Sequence, residues 1–222
     1  MKPAVSLKQV SKVFITGGIR VKAVTAISLS IQEGAFWIVA GPSGSGKTTL
    51  LNLIGGLDRA TEGEIQVGDL RLSTMTERNL ALYRRHRIGF IFQGNNLIPT
   101  LTAFENIEIP LILIGDSDRK TKVNDILREI GLRDKAHMFP QFLSAGEQQR
   151  VAVARAVVHS PHLVLADEPT ANLDMQTGSD ILLLLQRLNQ KLKRTVLFST
   201  HDQRIIDTGE NVLRLRDGRL DL

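Results

Sequence analysis

Gly41-Pro42-Ser43-Gly44-Ser45-Gly46-Lys47-Thr48 follows the apolar run Phe36-Trp37-Ile38-Val39-Ala40 and leads into Thr49-Leu50-Leu51-Asn52-Leu53-Ile54. A glycine-rich turn between a buried strand and the start of a helix leaves backbone N–H groups unpaired and aimed at one spot, which suits a phosphate chain. The spacing is that of G-x-x-x-x-G-K-[ST], in which the lysine reaches the outer phosphates and the final hydroxyl binds Mg2+. Glycines at 41, 44 and 46 allow positive φ and a close backbone approach with no Cβ in the way. Residues 41 to 49, with Lys47 and Thr48 in the two side-chain roles, therefore predict binding of a nucleoside triphosphate with Mg2+.

The 222 residues suffice for one good core, with 42% apolar and 23% charged side chains as in ordinary soluble domains. With no cysteine, disulfides, a thiol nucleophile and a thiolate metal site are excluded. Met1 to Ser6 carries one basic residue and no apolar core of the kind a signal peptide needs. The most apolar stretches, Ile107 to Ile114 and Ile181 to Leu185, fall short of the ~20 residues that span a bilayer. Any membrane span is thus expected from another chain. The net charge is +5, and the densest basic cluster, Arg84-Arg85-His86-Arg87, ends a helix predicted over Thr76 to His86, where cations complement the helix dipole. No aromatic residues interleave these cations, so no specific nucleic acid is expected as a partner.

Residues 4 to 14 and 24 to 31 alternate in polarity around Gly17-Gly18 and read as an antiparallel hairpin. Phe14 at the end of the first strand suits either a core position or a ring stacked on a base, and both readings stand at this point. Gly63 to Asp69 reads as a short strand and turn. Residues 88 to 92 form a buried strand that delivers Gln93 to its C-terminal end, where ligands of open α/β sheets bind.

From 94 to 160 the pattern is helical without strands. Thr102 and Glu105 spell a capping box for a helix that Pro110 should kink or end. Val123, Ile126, Leu127 and Ile130 mark an amphipathic helix stopped by Gly131, and Ser144 to His159 is a further helix. The sheet resumes at Leu163-Val164-Leu165-Ala166, which ends in Asp167-Glu168. Two carboxylates closing an apolar strand are costly unless a cation or a reacting water uses them. Thr195 to Thr200 is another strand, ending at His201, and Asn211 to Leu220 is a hairpin around Asp217-Gly218. Strands alternating with helices imply a parallel sheet with right-handed crossovers. Gln93, Asp167, Glu168 and His201 then gather beside the phosphate loop. Lys47 and Mg2+ neutralise charge there, Thr48 and Asp167 hold the metal, Glu168 polarises water, and His201 reaches the γ-phosphate or that water.

These elements, in this order, resemble the nucleotide-binding subunits of ATP-binding cassette (ABC) transporters. Phe14 matches the aromatic that stacks on adenine, Gly41 to Thr48 the Walker A loop, Gln93 the Q-loop and Leu143-Ser144-Ala145-Gly146-Glu147 the LSGGQ signature. Leu163 to Asp167 matches Walker B, Glu168 the catalytic glutamate, Ala171-Asn172-Leu173-Asp174 the D-loop and His201 the H-loop. The resemblance implies an α/β fold: a P-loop NTPase (RecA-like) parallel-sheet core with an antiparallel β subdomain and an inserted α-helical subdomain. It divides residues 1–222 into a core of 1–93 and 161–222 and a signature subdomain of 94–160. It further implies catalytic roles for Glu168, His201, Lys47 and Gln93. The metal would be held by Thr48, Gln93 and Asp167. Ser144, Ala145, Gly146, Glu147 and Asp174 would reach the ATP of a second copy, giving an ATP-dependent head-to-tail homodimer.

Within the family the likeness is to the lipoprotein-releasing (LolD-type) and macrolide-export (MacB-type) group. It rests on Ile54 to Asp58, Gly89 to Gln93 with Leu97-Ile98-Pro99, Leu101 to Asn106 and Ala166 to Asp174. The implied partner is a separate transmembrane permease subunit docked near Asn95 to Pro110, which places the chain peripherally on the cytoplasmic face of the membrane. Cell-division (FtsE-type) and haem-export subunits are the alternatives, and a soluble ABC ATPase acting on nucleic acid is the rival from another class.

Overall fold

The computed structural model describes residues 3–221. β1 (Pro3–Thr16) and β2 (Ile19–Gln32) form an antiparallel hairpin closed by Gly17-Gly18, both at positive φ. These strands run past the expected limits, because irregularities at Gln9 and Ala26, each with φ near 50°, re-aim the pair without ending it. β4 (Glu62–Val67) pairs antiparallel with β1, and the short β5 (Leu70–Arg71) pairs with β4, giving the order β2-β1-β4-β5.

The second sheet is built from β3 (Phe36–Ala40), β6 (Ile88–Ile91), β7 (Leu163–Asp167), β8 (Thr195–Thr200), β9 (Val212–Arg216) and β10 (Arg219–Asp221). Its order is β10-β9-β3-β8-β7-β6, parallel throughout except for the terminal β9–β10 hairpin. Each central strand contributes to two cores. Ile38, Val164, Ala166, Val196 and Phe198 face one, and Val39, Leu163, Leu165 and Leu197 face the other. A strand covered on both faces needs apolar residues at successive positions, which is why these segments read as unbroken runs.

The first core takes α3 (Ala103–Ile114), α4 (Arg119–Glu129), α5 (Ala145–Val157) and α6 (Met175–Leu192); the second takes α1 (Lys47–Ile54), α2 (Glu77–Arg87) and the antiparallel sheet. A short α7 (Gln203–Ile206) follows β8. The cations at the end of α2 have structural partners: Arg84 donates to Gly56 O at 2.6 Å, and Arg87 bonds to the His162 ring at 2.8 Å.

Of the two outcomes expected at Pro110, a kink or an end, the helix does not end there. α3 begins at the predicted capping box but continues through Pro110 to Ile114. Proline removes one backbone bond, yet Ile107 and Leu111 on either side are fully buried, and burying each contributes roughly 1.5–3 kcal/mol. Burial outweighs the lost bond, and the helix ends instead at Gly115, in the left-handed conformation.

Candidate functional site

The loop between β3 and α1 is shaped by its glycines in two ways. Gly44 and Gly46 have φ of 80° and 103°, whereas Gly41 has no positive φ and is required by space: a Cβ there would sit 2.3 Å from Leu215 O. Behind the loop, the turn between β9 and β10 acts as a brace. Gly218 N donates to Ser45 O at 3.0 Å, and Gly218 O accepts from Thr25 N at 2.7 Å. Pro42, Ser43 and Thr48 are exposed, and Thr49 is half-buried. Lys47 opens α1 and is buried. Its ammonium donates to Gly41 O at 2.7 Å and Pro42 O at 3.0 Å, and pairs with Glu168 Oε1 at 3.1 Å.

The parallel strands bring the other expected residues to the same edge. Asp167 is the last residue of β7, half-buried, and its Oδ1 accepts from the Ser199 hydroxyl at 2.7 Å. Glu168 follows with φ of 45°, a conformation uncommon outside glycine that recurs at functional sites. Its Oε2 lies 2.9 Å from His201 Nδ1. An ionised carboxylate only accepts, so in this pair Nδ1 carries the proton. One carboxylate is thereby held on both oxygens, by Lys47 and by His201. Gln93 lies exposed just beyond β6, its carbonyl accepting from Asn172 Nδ2 at 3.4 Å.

Phe14 is not core. It is exposed near the hairpin tip, with Lys12 Nζ 4.8 Å from its ring centroid. Lys12 is itself fixed by Asp58 at 2.6 Å and Arg59 O at 2.9 Å, so the ring is braced to the segment after α1.

A second group of residues stands apart from this cluster. Ser144 caps α5: its Oγ accepts from Glu147 N at 3.3 Å, while Glu147 Oε2 accepts from Ser144 N at 3.0 Å. Glu147 also pairs with Lys135, whose ammonium, followed by the Ser144 backbone, holds the carboxyl below its ordinary range. Ala145 is the first residue of α5 and has no positive φ, so alanine causes no backbone strain there. Gly146 is needed for space, since a Cβ would lie 2.5 Å from Thr177 Cγ2. That contact joins the start of α5 to the start of α6, where Asp174 accepts from Thr177 N at 3.0 Å and from Thr177 Oγ at 2.6 Å. These bonds to Thr177 hold the Asp174 carboxyl low. Among the described residues, no hydrogen bond or ion pair joins Ser144, Glu147 or Asp174 to Lys47, Glu168 or His201.

Ser199, buried in β8 and bonded to the Asp167 carboxylate and the Glu168 backbone N–H, is absent from the sequence-derived site; the only signal was a polar residue inside a buried strand, two positions before His201. The brace at Gly218 was likewise unforeseen. Thr48, Gln93 and Asp167, the residues expected to hold a metal, all offer oxygen donors, the ligand type that suits a hard cation such as Mg2+.

A sequence model of the family described as "ABC transporter" matches residues 24–171. A lipoprotein-releasing system ATP-binding protein LolD of Legionella pneumophila is 42% identical over 211 residues, covering 94% of this chain and 93% of its own length. A macrolide export ATP-binding/permease protein MacB of Hyphomonas neptunium is also 42% identical over 98% of this chain, which spans 34% of that longer protein. Among solved structures, a dimeric post-hydrolysis state of the ATP-binding cassette MJ0796 bound to ADP and Pi superposes with a TM-score of 0.89 at 41% identity. That match covers 98% of this chain and 97% of the other.

Proposed function

The chain belongs to the ABC transporter ATP-binding family, and from that premise we propose that two copies enclose two Mg-ATP head to tail and drive a separate membrane subunit of the lipoprotein-releasing or macrolide-export type. It is an ATP-hydrolysing enzyme with a P-loop NTPase fold. The finer reading is carried by the separation between the Lys47–Glu168–His201 cluster and the capped start of α5. One chain holds a phosphate loop with a catalytic carboxylate, and elsewhere a second helix N-terminus suited to an anion. Head-to-tail pairing brings the α5 end of one copy to the loop of the other. The dimeric ADP-bound cassette similar to this chain supports that pairing.

In this reading Lys47 exchanges the carbonyls of Gly41 and Pro42 for phosphate oxygens when ATP enters. Thr48, Gln93 and Asp167 would hold Mg2+, which would supply charge neutralisation at the phosphates. Glu168, released from Lys47, orients and deprotonates the attacking water, while His201 keeps the other carboxylate oxygen in place. Phe14 offers its ring to the base. The work is positioning and electrostatics, as phosphoryl transfer requires.

The partner would dock in the groove lined by Arg84, Phe90, Ile98, Pro110, Leu113 and His159, within and beside the Asn95 to Pro110 segment. No helix among the described residues is long and apolar enough to cross a membrane; attachment to its inner face would run through that partner.

Light scattering after size exclusion of Glu168→Gln, with and without Mg-ATP, tests the pairing. The substitution keeps side-chain size and removes the base, so ATP should convert monomer to a persistent dimer. A monomer at saturating ATP, both alone and with the membrane partner present, would refute the sandwich.

A further inference from the structure

We propose that Ser199 is a positioning residue for hydrolysis, fixing both site carboxylates through one hydroxyl. It lies in β8, fully buried, directly opposite Asp167 in the parallel β7–β8 register. The hydroxyl donates to Asp167 Oδ1 at 2.7 Å and accepts the Glu168 backbone N–H at 2.9 Å. A serine has one proton to give, so its rotor is set: proton toward Asp167, lone pair toward Glu168 N.

Two consequences follow for the reacting groups. With Oδ1 of Asp167 held by the hydroxyl, the carboxylate plane is fixed and a lone pair on Oδ2 is aimed at Mg2+ or its water. The acceptor bond to Glu168 N supports the left-handed backbone, φ 45°, that directs the Glu168 side chain back to Lys47 and His201. Removing the hydroxyl frees Asp167 to rotate and leaves a buried N–H without a partner. Both carboxylates then lose definition although neither has been changed. Misplacement of about 1 Å in such a constellation can cost on the order of 10²-fold in rate. The inference rests on the proposed assignment of Asp167 to metal and Glu168 to water.

The test uses Ser199→Ala, which adds no bulk, with the near-isosteric pair Ser199→Thr and Ser199→Val, of which only threonine keeps a hydroxyl. Mn2+ binding to each protein saturated with a non-hydrolysable ATP analogue is followed by electron paramagnetic resonance, and kcat and KM for ATP are measured alongside. Ser199→Ala should weaken Mn2+ binding about fivefold or more and lower kcat at least as far, with metal-free analogue affinity unchanged. Thr should lie closer to wild type than Val in both readouts. Wild-type Mn2+ affinity in the alanine variant, or equal behaviour of Thr and Val, overturns the proposal. Asp167→Asn, run in parallel, separates this from the underlying assignment. If it binds Mn2+ as wild type does, the metal assignment itself fails, whatever Ser199 does.

Discussion

Gly46 meets two demands in one position. Its φ of 103° disfavours any L side chain, and a Cβ would lie 2.4 Å from Ala23 O in the neighbouring hairpin. Gly44, two residues earlier, has φ of 80° but nothing within 4 Å of the same point. The pair separates strain from collision. Gly44→Ala should cost only the left-handed backbone, about 1–2 kcal/mol, with affinity for a fluorescent ATP analogue within a few fold of wild type. Gly46→Ala must also push the loop off β2, so analogue affinity should fall more than tenfold and the melting temperature should drop further. Equal effects of the two substitutions would mean that contact with Ala23 does not set the loop's position. The same reasoning explains Gly41, where Leu215 O supplies the obstacle and φ is unremarkable. A glycine in this loop is read from sequence as freedom, but at 41 and 46 it is equally an absence of bulk.

In the proposed dimer, α5 would serve two states. Its N-terminus has the form suited to anions, yet in this structure Ser144 Oγ is engaged by Glu147 N and the Glu147 carboxylate is shared between Ser144 N and Lys135. A serine cap contributes about 1 kcal/mol, which a phosphate must displace. Glu147→Gln keeps an acceptor for the cap and removes the ion pair. Nucleotide-free stability should therefore fall slightly, and ATP should drive dimerisation at lower concentration. Identical melting and identical ATP dependence would rule out the exchange. The sign with pH is fixed by the depressed Glu147 carboxyl. Its stabilising share is complete above the ordinary carboxylate range and is lost as pH falls through the lowered value, a loss absent in the glutamine variant. This element, with its cap, was legible in the sequence because capping is local: Ser144 and Glu147 are three residues apart. The phosphate loop and the strands ending at Asp167 and His201 were legible for the same reason. What escaped was long-range or cooperative. Ser199 touches Asp167 across 32 residues of chain, Gly218 braces a loop more than 170 residues away, and the choice left open at Pro110, between a kink and an end, falls to burial at Ile107 and Leu111. None of these leaves a mark at the spacing of a turn or a cap.

In the proposed reading, coupling between hydrolysis and a membrane partner would pass through the seam between the parallel sheet and the helices of residues 103–157. The segment after Gln93 lies in that seam. Arg155 of α5 donates to Asn95 O and Asn96 O, both at 2.7 Å, and Asn95 Nδ2 donates to Gln148 Oε1 at 2.8 Å. Gln93 is thus two residues from a backbone lashed to the helix whose N-terminus would meet the partner copy's phosphate. Beside this lashing, the groove exposes Ile98, 41% accessible, whereas Leu97 turns inward against the main core. The two neighbours, equivalent when read as sequence, should therefore respond differently. Ile98→Asp puts a charge in the groove and leaves the core intact, so stimulation of ATPase activity by the reconstituted membrane subunit should fall at least tenfold while the melting temperature and ATP affinity of the isolated chain hold. Leu97→Ala removes packing volume, and its effect should be a lower melting temperature with stimulation retained. Full stimulation in Ile98→Asp would place docking on another face, leaving the groove between α3 and α5 as a seam between moving parts rather than a seat for the partner.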